Sequence, residues 1–245
     1  MADPDRGPRP LLLGHRGARL TAPENSIPAF DLALAHGCHG FEFDVRRTAD
    51  GRSILCHDPR LAGIEIAAAT YDSIQQFYNS DLLPALIADQ HGAFPEACRL
   101  LCLEDVLDRY KENAFLDIEL KVPLLEAAVV AALKENPPQR GYLVSSFLPD
   151  VLEGLRALEA SLPLGFICDK RRDLDRWRTL PIDVVLPHRS LLARELIEEA
   201  HTAGKQVFVW TVNDQFEMWK LAGWGVDAIV SDDTELLGRT FAAGR

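Results

Sequence analysis

The stretch Phe41–Asp58, FEFDVRRTADGRSILCHD, decides how this chain folds. In it two carboxylates alternate with large apolar residues, a turn follows, and a second apolar run ends in His57 and Asp58. Side chains two apart on a strand share a face, so Glu42 and Asp44 point one way and Phe41, Phe43 and Val45 the other. The run RSILCHD follows too soon for a parallel crossover, which needs a dozen or more residues. Behind the turn signal Ala49-Asp50-Gly51 it is expected to form an antiparallel hairpin growing out of the strand. A two-residue turn at Asp50-Gly51 sets Asp44 opposite His57, and a three-residue loop slips that register by one. Either register returns His57 to the end of the strand that carries the carboxylates.

Working outward, the run GFEFDV at 40–45 has companions at 11–15, 114–120, 142–147, 164–168, 183–187, 206–212 and 227–232. Helix-length amphipathic stretches alternate with them, among them SIPAFDLALAHG, PLLEAAVVAALKEN, PDVLEGLRALEA, SLLARELIEEAHTAGK and QFEMWKLAGWG, several closing on Gly or Asn. Near-continuous apolar strands separated by helices indicate a parallel sheet covered on both faces. Eight such units in a chain of 245 residues fit an α/β fold of the (β/α)8 TIM-barrel type. An open doubly wound sheet is the alternative, disfavoured by the lack of a GxGxxG or Walker loop. Residues 59–102 break the rhythm and read as a small insertion after the second strand, on the barrel's C-terminal face, forming a lid or side lobe. The expected organisation is one domain over 1–245.

Hydrophobic residues make up 47% and charged residues 26%, ordinary globular composition with ample core material. A net charge of −11 argues against a general nucleic-acid or anionic-membrane surface, which needs clustered Lys and Arg, but not against a small anionic substrate. Cys38, Cys56, Cys98, Cys102 and Cys168 are scattered without a CxxC pair, as expected of reduced thiols. The polar, Pro-rich start shows no signal-peptide pattern and no run reaches membrane-spanning length, so the expectation is a cytoplasmic protein without stable membrane insertion. A homo-oligomer is compatible with the sequence.

The strand arithmetic places Asp117, Glu119 and Lys121 of LDIELK on one face. Inside a barrel such carboxylates are costly to bury without compensation. Glu42, Asp44 and Glu119 from neighbouring strands are candidate oxygen ligands for Mg2+ or Ca2+, against the alternative of a solvated or Arg-paired acidic rim. His15 and Arg16 in GHRGA follow the first strand, where Arg offers bidentate phosphate contacts and His a proton near neutral pH. With His57 this makes an acid/base pair around a phosphorus centre. His36, His39, His91, His188 and His201 read as structural. Asn25 or Ser26 is expected to cap the first helix, with Glu24 and Asn25 also within reach of the site, and Trp210 is a candidate pocket wall.

At these residues the chain resembles the glycerophosphodiester phosphodiesterase family. The matching segments are GHRGARLTAPENSIPAF, GFEFDVRRTADGRSILCHD, LDIELK, VFVWTVND and GVDAIVSD, in the family's order and spread from about residue 12 to 233. The resemblance implies a barrel with an insertion after its second strand. It implies cation-dependent hydrolysis of a glycerophosphodiester to glycerol 3-phosphate and an alcohol. By motif position it makes Glu42, Asp44 and Glu119 the metal ligands, and His15 and His57 the acid/base pair. Arg16 and Lys121 become the phosphate contacts, and Asn25 and Trp210, from their placement at the strand ends, are expected beside the substrate. The implied chemistry is attack by the substrate's own 2-hydroxyl, with water opening the cyclic intermediate. A lysophospholipase D-like activity, with an apolar lid over YDSIQQFYNSDLLPALI, and an inactive phosphodiester-binding barrel are the alternatives. The chain departs from the family pattern after HDPRL and at CRLLCLEDVL, that is, in the insertion and its return.

Overall fold

The structure is a computed structural model and describes residues 9–78 and 99–242. Eight parallel strands close into a ring in the order β1 (Leu11–His15), β2 (Gly40–Arg47), β6 (Phe115–Leu120), β7 (Tyr142–Ser146), β8 (Leu164–Cys168), β9 (Val184–Pro187), β10 (Gln206–Val209) and β11 (Ala228–Ser231). Pairing of β11 with β1 and of β1 with β2 shuts it. Helices α1 (Ile27–Ala35), α3 (Leu103–Tyr110), α4 (Glu126–Glu135), α5 (Pro149–Leu158), α6 (Arg194–Thr202), α7 (Gln215–Trp224) and α8 (Thr234–Ala242) cover its outside. Their ends follow the local chemistry. Ser26 caps α1 by accepting from the Ala29 N–H, Asp214 caps α7 through the Glu217 N–H, and α7 stops at Gly225 in the left-handed region.

Strand alternation divides the core in two. Outward residues such as Phe41, Phe43, Val45, Leu116, Ile118 and Leu120 pack beneath the helices, where Phe41 stacks on Phe30 at 4.1 Å between ring centroids. Inward residues Leu13, Leu143, Ile167, Val184, Leu186, Phe208, Ala228 and Val230 fill the barrel. The inward carboxylates lie toward the C-terminal ends of β2 and β6, where the interior opens.

The hairpin is present, with the three-residue loop. Strand β3 (Ser53–Leu55) pairs antiparallel with β2 through Val45–Leu55, Arg46–Ile54 and Arg47–Ser53. Thr48 therefore faces Arg52, and Asp44 faces Cys56, whose N–H donates to the Asp44 carbonyl, instead of His57. Gly51 supplies the positive φ of 88° that a three-residue hairpin takes at its last position. His57 still reaches the barrel mouth, because both Nε and Nη2 of Arg46 hold its carbonyl, at 2.8 and 2.6 Å.

Beyond the hairpin lie a two-residue ladder of β4 (Arg60–Leu61) with β5 (Ile64–Glu65), then α2 (Tyr71–Tyr78). Ile66 and Ile74 from this part pack with Ile54, Cys56, Leu100 and Cys102 in a cluster of their own. The chain returns beside its point of departure, through an Ile54–Cys102 bridge and a Leu55 N–H donating to the Leu101 carbonyl. His91, Cys98 and the second half of the expected lid lie outside the described residues. Cys38, Cys56, Cys102 and Cys168 are buried free thiols. No helix among the described residues is long and apolar enough to cross a membrane.

Gly40 sets the register that matters most. A Cβ added there would lie 1.8 Å from the Phe115 carbonyl oxygen, so β2 and β6 could not pair as they do. Gly40→Ala should destabilise the protein by about 1–3 kcal/mol or more, the cost of overpacking a filled interior. Denaturant unfolding measures this, and a variant as stable as the parent would contradict the close approach.

Candidate active site

The parallel register of β2 with β6 sets Glu42 beside Asp117 and Asp44 beside Glu119. All four carboxyls are buried. Two cations answer them. Lys121 Nζ lies 2.6 Å from Glu119 Oε1 and 3.2 Å from Asp44 Oδ1, and Arg16 Nε lies 3.0 Å from Asp44 Oδ2. Four buried acids against two cations leave a surplus of negative charge, which either protons or a further cation must relieve.

The surplus falls unevenly. Burial works to raise the Asp44 pKa, but Lys121, Arg16 and the Asn25 amide outweigh it and hold that carboxyl below the usual range. Burial raises Glu119 to about 7, with Asp44 adding to the effect and Lys121 opposing it. Asp117 is likewise raised to about 7 by burial, against a hydrogen bond from Ser145. Glu42 is raised well above the carboxylate range by burial and by its three acidic neighbours.

Two residues after β1 take unusual backbone conformations to serve this cluster. Arg16 and Asn25 both sit at φ 55°, where non-glycine residues are uncommon and functional sites store strain. So placed, Arg16 donates its N–H to Glu42 Oε2 at 2.9 Å, and its carbonyl accepts from the Asn25 N–H at 3.1 Å. Asn25 donates through Nδ2 to Asp44 Oδ2 and accepts the Asp44 N–H. Its amide thus holds Asp44 through one N–H and its oxygen, while Ser26 caps α1. Gly17, at φ 78°, passes so close to Ala29 that a Cβ would lie 2.6 Å from its carbonyl carbon.

Glu42, Asp44 and Glu119 each present an oxygen within 4.8 Å of the others. Glu42 Oε1 is buried and has no hydrogen-bond partner among the described residues. An all-oxygen donor set with surplus charge suits a hard divalent cation.

A cavity of about 250 Å3 opens over this cluster, lined by His15, Arg16, Glu42, His57, Asp117, Glu119 and Lys121 on one side. Phe147, Ile167, Leu186, Trp210 and Val230 line the other, with Asp169 among the lining residues. Trp210 donates its Nε1–H to the Leu186 carbonyl and meets Phe147 edge-on at 5.6 Å. Of the residues expected as metal ligands, acid/base groups or substrate contacts, all line the cavity except Asp44 and Asn25, and Glu24 also lies outside its lining. His57 Nδ1 lies 2.7 Å from Asp58, and burial lowers its pKa. Asp58 is 74% exposed.

Sequence reasoning missed Asp232, which lies 2.6 Å from His15 Nδ1, and Glu24 as a bridge between Arg16 and Arg19 at 3.0 Å from each. Asp232 stands one residue past β11, at a strand end like the other site residues, and that position was the available signal. The remaining described histidines do not line the cavity, although His188 packs edge-on against Trp210. His39 accepts the Leu12 N–H, His36 meets Thr234, His188 meets Ser190 and His201 meets Asp227.

The model of the glycerophosphoryl diester phosphodiesterase family matches residues 15–236. The chain belongs to that family. It is an enzyme, a phosphoric diester hydrolase acting on glycerophosphodiesters. A glycerophosphodiester phosphodiesterase of Caldanaerobacter subterraneus subsp. tengcongensis is 26% identical over 235 residues, covering 93% of this chain and 96% of its own. The structure of an Oleispira antarctica phosphodiesterase in complex with the product sn-glycerol-3-phosphate superposes with a TM-score of 0.80 at 25% identity, covering 96% of this chain and 98% of that one. The Agrobacterium tumefaciens family member, 23% identical with a TM-score of 0.77 over 94% of this chain and 99% of its own, shares the barrel.

The pKa of Glu119, raised from 4.5 to about 7 in the folded chain, makes its contribution to stability greatest below pH 4.5 and lost as pH rises through 7. Glu119→Gln cannot ionise there. In EDTA, its stability relative to the parent should therefore climb between pH 5 and 7 and level off above. Urea midpoints across that range test this, and parallel profiles would contradict it.

Proposed function

We propose that the enzyme cleaves glycerophosphodiesters to glycerol 3-phosphate and an alcohol by acid/base catalysis between His15 and His57. Glu42, Asp44 and Glu119 are the residues that would hold a divalent cation, Mg2+ or Ca2+, whose chemistry there is neutralisation of charge and activation of a hydroxyl. The observation that carries this reading is the surplus of buried carboxylate at the floor of a cavity bordered by both histidines.

In this reading Arg16 and Lys121 receive the phosphate. Arg16 has Nε on Asp44 and Nη1 on Glu24, which leaves Nη2 for an anion. One imidazole takes the proton of the substrate's 2-hydroxyl as it attacks phosphorus, and the other donates to the departing alkoxide. The two then exchange tasks when water opens the cyclic intermediate. An internal nucleophile gains the effective molarity of an intramolecular reaction, so no serine or cysteine nucleophile is required. Asn25 serves by orienting Asp44, and the apolar wall at Trp210 and Phe147 takes carbon of the substrate. Organisation as one barrel domain over 1–245, with 59–102 as an insertion after the second strand, goes with this assignment.

Glycerol 3-phosphate should be released from glycerophosphocholine or glycerophosphoethanolamine with Mg2+ or Ca2+ and suppressed by EDTA. No release under any of these conditions would overturn the reading. His15→Ala and His57→Ala should each lower kcat by about 10²–10⁴, the range for lost acid/base catalysis. Full activity in either would remove that histidine from the mechanism. Glu119→Ala should weaken the response to metal, with partial recovery at excess metal.

A further inference from the structure

His15 and His57 are supported very differently. The partner of His57 is its exposed chain neighbour Asp58. The partner of His15 comes from the far end of the chain, just past the adjacent strand β11, and is itself fixed. Asp232 Oδ1 lies 2.6 Å from His15 Nδ1, and Asp232 Oδ2 accepts from Asn213 Nδ2 at 2.7 Å. Arg19 Nη1 approaches Oδ1 at 3.4 Å.

The Asn213 amide has no freedom to turn over. Its Oδ1 accepts two donors, the Ser231 hydroxyl and the Asp232 N–H, both at 2.9 Å. Its Nδ2 therefore faces Asp232 and must find an acceptor there. Burial works against ionisation of Asp232, but His15, Asn213 and Arg19 hold its carboxyl down to about 2, so it is acceptor only. An acceptor at Nδ1 requires the proton on Nδ1 and turns the other ring nitrogen free. That nitrogen, Nε2, is the one that faces the pocket, 3.9 Å from Glu42 Oε2.

We propose that Asp232 and Asn213 form a positioning pair that selects the Nδ1–H tautomer of His15 and aims its Nε2 at the reacting phosphodiester. The pair touches no substrate and acts through the imidazole. This rests on the reading of His15 as a proton-transfer group, but the tautomer itself can be observed without turnover.

Hydrogen-bond polarity gives a test that simple loss of packing does not imitate. In Asp232→Asn, the new amide must turn its oxygen to Asn213 Nδ2, which leaves its own NH2 toward His15 and drives the imidazole proton to Nε2. Where an amide replaces the aspartate behind a catalytic histidine and forces the wrong tautomer, the loss is about 10⁴ in kcat. The expected loss here is about 10²–10⁴ with KM little changed, and Asp232→Ala, which imposes no tautomer, should lose less than Asp232→Asn. Exchanging the pair, Asp232→Asn with Asn213→Asp, restores the polarity. The carboxylate at 213 accepts from the Ser231 hydroxyl, the backbone and the new amide, whose oxygen then faces Nδ1–H again.

Nitrogen-15 NMR of histidine-labelled protein, at a pH where the imidazole is neutral, reads which ring nitrogen carries the proton. The expected series is Nδ1–H in the parent, Nε2–H in Asp232→Asn and Nδ1–H again in the exchanged pair, with at least about tenfold of the lost kcat regained. Retention of Nδ1–H in Asp232→Asn, or no return of it in the exchanged pair, would overturn the proposal. If the single variant does not fold, the exchanged pair decides alone, since Nδ1–H there requires the proposed polarity. An inactive parent that shows the tautomer series would leave the pairing standing and remove the assigned catalytic function instead.

Discussion

Four carboxyl groups share the interior at the upper ends of two adjacent strands, and the parallel pairing of Gly40–Val45 with Phe115–Leu120 places them there in pairs. Their mutual repulsion, at buried positions, is the constraint to which the rest of the site answers. Lys121 bends back over Asp44 and Glu119. Arg16 accepts a left-handed backbone so that its N–H meets Glu42 while its guanidinium meets Asp44. Asn25 takes a left-handed backbone too, and its amide meets the same Asp44 oxygen as Arg16 while accepting the Asp44 N–H. The first βα loop is thus shaped by electrostatics reaching in from the second and third barrel strands, and the strain at its two left-handed residues is offset by the charged hydrogen bonds they make.

Charge also alternates along the rim beyond this centre. From Asp44 the sequence of contacts runs through Arg16 to Glu24, Arg19 and Asp232, and ends on His15. Each group in that series holds the next in one orientation. A rim built this way gives the reacting side chains little rotational freedom, which is the structural requirement for preorganised catalysis.

Much of this was legible in the residues themselves because period-two alternation is a strong signal. Phe41, Phe43 and Val45 against Glu42 and Asp44 identified both faces of β2, and the same count in LDIELK placed Asp117, Glu119 and Lys121. The barrel followed from eight apolar runs separated by helices. What stayed hidden depended on contacts between segments far apart in the chain. Nothing near His15 announces that Asp232, more than two hundred residues on, lies against its Nδ1. The commitment of Asn25 to Asp44 was hidden for a similar reason, since a left-handed backbone cannot be read from an asparagine that is equally good as a helix cap. The hairpin register turned on a single loop residue. Asp50-Gly51 suits a two-residue turn, yet Thr48 receives the Arg52 N–H on its hydroxyl and joins its backbone to the Arg52 carbonyl, which favours the longer loop.

The stapling of the chain at Ile54–Cys102 and Leu55–Leu101 has a consequence for how such an enzyme can diversify. The excursion leaves and rejoins the barrel at one point, with a separate apolar cluster for its foundation. Closing a flexible segment between fixed ends costs only about 0.6 kcal/mol more for each doubling of its length. Segments of quite different size and composition can therefore be exchanged above β3 while the strands below keep their alignment. Changes of length in that excursion leave the pairing of β2 with β6, and the carboxylates it positions, in place.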